Sequence, residues 1–376
     1  MSPQGARVER VYQSKKTQQY NFCSNDYLGL AAHPKILAAL QAGAERWGVG
    51  SGASHLVCGH SYAHQALEEA IAAWLQRPAV LSFSSGFSAN LALLQTLLTS
   101  DDLVLEDKLN HASLLDGARI SGAKVLRYRH LDVAHLQMRL QQATHQAKAS
   151  NVTWVVTDGV FSMDGDQADL EAYSQLCQVA NAHLIVDEAH SLGVLGTRGQ
   201  GLAADVTSAQ TPIIMGTLGK ALGTSGAFVA ASTHVIEYLR QFARPYIYTT
   251  ASSPALAWAT CASVHLVQSE EGAELRAQLV RNIQDFRQGV QALGLPLAAS
   301  TTSIQILPIA DVNTCLRWSQ ILAQAGVWVA AIRPPTVAQA RLRITLSAAH
   351  TQEQIHWLLQ ALARCQQLYP LSIGDV

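Results

Sequence analysis

The chain has 376 residues, 49% of them hydrophobic, and a formal net charge of -1. That length predicts about two domains with a sizeable core, and the near-zero charge gives no general attraction to nucleic acid or to an anionic membrane. The six cysteines, Cys23, Cys58, Cys177, Cys261, Cys315 and Cys365, form no C-x-x-C pair and no metal-ligand spacing, so they read as reduced residues of a cytoplasmic chain without a metal site. No apolar run reaches membrane-spanning length, and the polar, basic N-terminus has no apolar export core. Small molecules and other protein chains are the expected partners.

In chain order, YNFCSNDYLGL (20–30) alternates briefly and turns at Asn25 and Asp26, and HPKILAALQAGAERWG predicts an amphipathic helix stopped by Gly48. From Gly48 to Ser61, four glycines make a loop that lets backbone come close to a ligand or a neighbouring chain, or simply a flexible connection. Its G-x-G is a weak dinucleotide signal, because no strand precedes it. SYAHQALEEAIAAW (61–74) reads as a helix. From Ala79 onward AVLSF, DLVLED, KVLRY, TWVVTDG, HLIVDEAH, PIIMGT and GAFVAA read as strands, with helices such as FSANLALLQTLL, HASLLDGARIS and AYSQLCQVANA between them. This alternation predicts an α/β fold with a mostly parallel sheet covered by helices on both faces, and ligands at the carboxyl ends of the strands. After about Ser253 a long helix, the strand SIQILPI, another helix and RLRITLS predict a smaller α+β domain. The expected organisation is an N-terminal segment 1–45, a large domain 46–253 and a C-terminal domain 254–376.

Four strand ends carry chemistry. IIMGTLGKALGTSGAFVAA holds Lys220, the last lysine of the chain, in a small-residue loop between two apolar strands. Desolvation there would lower its pKa and free the amine as nucleophile or base, as a Schiff-base lysine requires, whereas a lysine snorkelling to solvent is the plainer alternative. HLIVDEAH places Asp187 at the end of an apolar strand, where a carboxylate needs a cation such as a protonated heterocyclic nitrogen. AVLSFSSGFSANL passes from strand through Ser85, Gly86 and Phe87 into a helix, forming an anion site suited to phosphate or an ordinary capped helix start. His111, past another strand end, can stack on a flat ligand or be a satisfied polar residue. The DEAH tetrad at Asp187–His190 lacks the phosphate loop that a helicase needs, since Ile214 and Ala221 stand at two of its required positions. G-x-S-x-G and H-E-x-x-H are both missing, which argues against a serine hydrolase and a zinc enzyme.

D-x-A-H with Asp187 and His190, T-x-G-K with Thr217 and Lys220, NHASLLDG around His111 and SSGFSAN around Gly86 resemble the α-oxoamine synthases from about Tyr20 almost to the C-terminus. These are pyridoxal-phosphate enzymes of fold type I, the aspartate-aminotransferase-like fold. SNDYLGL, DGVFSMDGD, FARPYIYTT and AIRPPTV are most similar to the members that condense L-alanine with a pimeloyl thioester in biotin synthesis, releasing CO2 and the thiol carrier. The resemblance implies that Lys220 holds pyridoxal 5'-phosphate and takes the substrate's α-proton. Asp187 would partner the ring nitrogen and His111 the ring face and substrate. His190 and Ser162 would bond the phenolic oxygen, and Thr217, Gly86 and Phe87 the phosphate. The amino-acid carboxylate calls for a planar, permanent cation, for which Arg343 is the first choice and Arg333 the second, with Thr336 and Asn25 as further substrate contacts. A homodimer with shared active sites is also implied, the 48–61 loop and Thr249–Thr250 serving the neighbour's cofactor. Asp158 and Ala53 stand where the family has glutamate and glycine. Its substrate-binding arginine, on a helix ahead of the first strand, has no match here, Arg7 and Arg10 being the nearest arginines. Another synthase of the family, joining glycine or serine to a different acyl thioester, and a catalytically idle homologue are the alternatives.

Overall fold

The computed structural model describes residues 4–12, 15–146, 151–206 and 212–371. They pack as two units, one comprising Pro34–Phe161 and Gln167–Ser269, the other the chain up to His33, Ser162–Asp166 and the chain from Glu270. The second unit begins with β1 (Arg7–Tyr12), which carries both Arg7 and Arg10, paired antiparallel to β2 (Lys15–Asn21).

The first unit runs α1 (Pro34–Trp47), a π-helical turn at His55–Gly59, α2 (Tyr62–Leu75), β3 (Ala79–Phe83), α3 (Gly86–Leu97), β4 (Leu103–Asp107), α4 (Ala112–Ser121) and β5 (Lys124–Tyr128). It continues with α5 (Val133–Gln146), β6 (Thr153–Asp158), α6 (Leu170–Ala180), β7 (His183–Asp187), β8 (Ile213–Thr217), β9 (Ala227–Ala231), α7 (Thr233–Phe242), α8 (Arg244–Ile247) and α9 (Pro254–Gln268). Its seven strands form one sheet in the order β3-β9-β8-β7-β6-β4-β5. The strands are parallel except for β9, which is antiparallel to both β3 and β8. All five residues of β9 and four of the five in β7 are buried, as continuous apolar strands are when both sheet faces are covered. On one face Val104, Val156, Ile185 and Val229 share a core with Leu93, Leu114 and Ile236 of α3, α4 and α7.

Because β9 alone reverses, β3, β4, β6, β7 and β8 all end at one edge of the sheet. The loops that leave those ends are therefore the ones able to converge, as expected for a doubly wound sheet.

The expected boundaries near residues 45 and 253 shift in the structure. α9 packs on α1 and α2, so closely that a Cβ on Gly43 of α1 would stand 3.0 Å from the Ala255 Cα. α1, through its buried Ile36 and Gly43, and the largely buried α9 thus both belong to the first unit, and the division falls at Ser269.

The second unit continues with α10 (Glu270–Ala292), β10 (Ile304–Pro308), α11 (Val312–Gln324), β11 (Val327–Trp328), β12 (Ala330–Ile332), β13 (Arg341–Thr345) and α12 (Gln352–Leu368). β10, β13 and β12 form an antiparallel sheet. The β1–β2 pair, which its polar sequence did not predict, gains a third strand where β11 runs parallel to β2 with Val327 opposite Tyr20. The 162–166 segment joins this unit through Gly165, whose carbonyl accepts from the Ser300 and Thr302 hydroxyls at 2.8 and 2.9 Å, and through an Arg341–Asp164 ion pair. Among the described residues no helix is long and apolar enough to cross a membrane, and no cluster of His, Cys, Asp and Glu is built to hold a metal ion.

Candidate active site

Asp187 closes β7 and is 3% exposed. Its Oδ1 accepts from the Ala189 N–H at 2.9 Å and its Oδ2 from Asn90 Nδ2 at 2.8 Å. A buried carboxylate whose hydrogen-bond partners are neutral is set to meet positive charge on a ligand. Asp158 lies opposite it in the β6–β7 register. Burial, followed by the charge of Asp187, pushes the Asp158 carboxyl well above the usual carboxylate range. Asp158 Oδ2 accepts the His111 backbone N–H at 2.7 Å, and Asn110 Nδ2 donates to the Val156 carbonyl at 2.8 Å, so the turn after β4 is pinned to β6.

That turn presents His111 as the N-cap of α4, its Nδ1 accepting from Ser113 N–H and lying 2.7 Å from Ser113 Oγ. Solvent reaches part of the ring, yet desolvation on its protein side lowers the His111 pKa, against the opposing pull of Asp187's charge.

Lys220 follows β8 in the loop that turns back into β9, closed by Leu218 N–H to the Gly226 carbonyl at 2.9 Å and by Gly223, whose φ of 68° favours glycine. Its Nζ stands 2.8 Å from His190 Nε2, and His190 is itself buried in the turn after Asp187. Lysine, imidazole and carboxylate are thus carried by two adjacent parallel strands.

Thr217, the last residue of β8, has its Oγ1 buried with no hydrogen-bond partner among the described residues. It adjoins the start of α3, for a Cβ on Gly86 would lie 2.6 Å from Thr217 Cγ2. Ser85 caps that helix through the Ser88 N–H, while the N–H groups of Gly86 and Phe87 precede the helical ladder. An orphaned hydroxyl beside a helix N-terminus is what a phosphate would complete. With Asp187 for a cationic ring nitrogen and Lys220 for an aldehyde carbon, these residues fit pyridoxal phosphate.

The other expected residues lie in the second unit. Arg343 is 7% exposed on β13; its Nε donates to the Ser162 carbonyl at 2.7 Å, Nη1 to Thr345 Oγ1 at 3.1 Å and Nη2 to Asn25 Oδ1 at 3.2 Å. Neutral oxygens hold this guanidinium, as suits an arginine reserved for a carboxylate ligand. Arg333 and Thr336 form an exposed turn, closed by Thr336 N–H to the Arg333 carbonyl at 3.1 Å.

Sequence reasoning gave no role to Asn90, Ser113 or Asp158. The available signal for Asn90 was a polar residue within the apolar helical run ANLALL.

The model of the aminotransferase class I and II family matches residues 17–362. An 8-amino-7-oxononanoate synthase of Pseudomonas savastanoi pv. phaseolicola is 53% identical over 354 residues, 93% of this chain and 87% of that protein. That of Pseudomonas putida KT2440 is 52% identical over 97% of this chain and 91% of its own length. Among solved structures, an 8-amino-7-oxononanoate synthase from Francisella tularensis superposes with a TM-score of 0.79 at 32% identity, covering 94% of this chain and 99% of that one. A serine palmitoyltransferase from S. paucimobilis with a bound pyridoxal-phosphate–myriocin aldimine reaches 0.90 at 28% identity, covering 97% and 91%.

Proposed function

We propose, from the premise that this chain belongs to the class I and II aminotransferase family, that it condenses L-alanine with a pimeloyl thioester to give 8-amino-7-oxononanoate, CO2 and the free thiol. The enzyme depends on pyridoxal phosphate, which when bound supplies a ring that accepts the electron pair left on the amino acid's α-carbon. The observation that carries this chemistry is the Lys220 amine 2.8 Å from His190, at the strand edge that also holds Asp187. The choice of alanine and pimeloyl substrates rests on the named relatives.

Lys220 Nζ would hold the cofactor and take the amino acid's α-proton, with His190 Nε2, 2.8 Å away, orienting the amine. Asp187, held by Ala189 and Asn90, would partner the ring nitrogen and keep it protonated. Thr217 and the N–H groups of Gly86 and Phe87 would hold the phosphate, and His111 would serve the ring face and the substrate. His190 and Ser162 would bond the phenolic oxygen. Arg343 takes the amino-acid carboxylate, with Asn25, Arg333 and Thr336 as further substrate contacts.

The enzyme works in the cytoplasm as a homodimer in which each subunit completes its neighbour's site. Supporting this, the two segments assigned to the neighbour are joined by a Ser54–Thr250 bridge, and Val57 and Tyr248 beside them are 77% and 71% exposed. Light scattering is expected to give twice the chain mass; a monomer with full activity would overturn the shared site.

Mass spectrometry of products from a panel of amino acids and acyl thioesters tests the activity. Alanine with pimeloyl thioester is expected to yield the nine-carbon amino-ketone. Preference for glycine or serine with another acyl group would make the chain a different α-oxoamine synthase, and no turnover with any pair an idle homologue.

A further inference from the structure

One hydrogen-bonded chain links the two ends of the site. Asn90 Nδ2 donates to Asp187 Oδ2 at 2.8 Å and to Ser113 Oγ at 2.9 Å, and Ser113 Oγ lies 2.7 Å from His111 Nδ1. Asn90 is fully buried and Ser113 1% exposed. The direction of each bond follows from chemistry. The Asn90 amide nitrogen has two hydrogens to donate, and it spends one on Asp187 Oδ2 and the other on Ser113 Oγ. Ser113 Oγ therefore accepts from Asn90, and its own proton is free for His111 Nδ1. The Ser113 backbone N–H points to the same nitrogen at 3.3 Å. Two donors converge on Nδ1, which leaves it no proton and places the ring proton of the neutral imidazole on Nε2, the nitrogen turned away from α4.

We infer that Asn90 and Ser113 are positioning residues that hold His111 as its Nε2–H tautomer and couple it, through one amide, to Asp187. This deepens the cofactor-site reading and rests on it. Asn90 Oδ1 is buried with no hydrogen-bond partner among the described residues, so this amide is oriented at a cost to stability. The consequence is an imidazole that presents a single donor to the reacting groups and resists becoming a cation beside Lys220. The charged and titratable groups acting on the ring are Asp187 from β7, Lys220 from the β8–β9 loop, Asp116 from α4, and Asp158 from β6 through the His111 backbone.

The test is a long-range 1H–15N spectrum of the full chain labelled with 15N-histidine, recorded with and without pyridoxal phosphate, with His111 assigned by its loss in His111→Asn. The parent is expected to carry the proton on Nε2 in both forms. Ser113→Ala removes the nearer donor to Nδ1, so His111 should protonate about tenfold more readily, its titration moving up in pH, while Ser113→Thr restores the parent behaviour. Asn90→Leu should move it in the same direction. In turnover, Ser113→Ala should lower kcat about tenfold with little change in the KM for alanine. A parent with the proton on Nδ1, or a Ser113→Ala chain whose tautomer and titration match the parent, overturns the inference. The tautomer is read without substrate, so a correct tautomer in a chain that turns over no acyl thioester would refute the proposed activity and support this relay.

Discussion

Lys220 is the residue on which the proposed chemistry depends. Lys220→Ala is expected to cut kcat by several orders of magnitude, since nucleophile and base are lost together. Borohydride should no longer fix the cofactor to the protein; a variant that still reduces to a cofactor-bearing chain would show that another amine holds it. Glu106 makes the opposite case of a charge without a visible task. It is fully buried on β4, and neither carboxylate oxygen has a hydrogen-bond partner among the described residues. Burial pushes its pKa up to about 7, against the weaker pull of Arg127 and Arg119. The folded pKa lies above the unfolded one, so its contribution is complete below about pH 4.5 and lost as pH rises through 7. Glu106→Gln is therefore expected to stabilise the chain by about 2 kcal/mol at pH 8 and to change little at pH 5. Equal melting temperatures for the two proteins at pH 8 would refute this. Lys220 and Asp187 were legible in the sequence because charged side chains are conspicuous at the ends of apolar strands. Asn90 was not, because a lone amide in a helix is informative only once its partner across the sheet is known.

At the scale of elements, the end of β8 and the start of α3 meet at Thr217 and Gly86, where the proposed phosphate site lies. Thr217→Val keeps the shape of the side chain and removes the hydroxyl that is buried without a partner. The cofactor-free protein is expected to melt at the parent temperature or above it, while the Kd for pyridoxal phosphate rises about tenfold. A fall in stability with unchanged affinity would mean that the hydroxyl serves the fold and not the phosphate. The central strands were readable as apolar runs between turn residues, and the helices as amphipathic stretches with stops such as Gly48. The β1–β2 pair was not, because RVERVY and KKTQQYN hold few apolar residues; its partner is β11, about 300 residues further along the chain.

On the scale of the whole molecule, the pH range of stability depends on buried histidine as much as on carboxylates. His350 is 3% exposed, stacked on Phe22 with ring centroids 4.2 Å apart. Its Nδ1 accepts from the Ser347 N–H at 3.0 Å, and its Nε2 lies 2.9 Å from the Asn21 carbonyl. Burial pushes its pKa down to about 4, with the Asn21 contact opposing. The folded pKa lies below the unfolded value of 6.5, so the unfolded chain binds a proton first as pH falls. About 3 kcal/mol of stability, full above pH 6.5, is thus expected to be lost as pH falls through 4. In urea titrations the advantage of the parent over His350→Gln should shrink steadily across that interval. A difference independent of pH would show that His350 does not titrate with unfolding.

Hydrophobic periodicity, glycine and the rare charges in apolar runs determined the alternation of strands and helices and drew attention to the strand ends that carry Lys220, Asp187 and His111, since each of these leaves its mark within a few neighbouring positions. The reversal of β9, the placement of α1 and α9 in the first unit, and the chain Asp187–Asn90–Ser113–His111 were decided only by the tertiary structure. Each joins residues far apart in sequence, and a hydrogen bond or a packed face between such residues has no local pattern until the sheet sets its strand order.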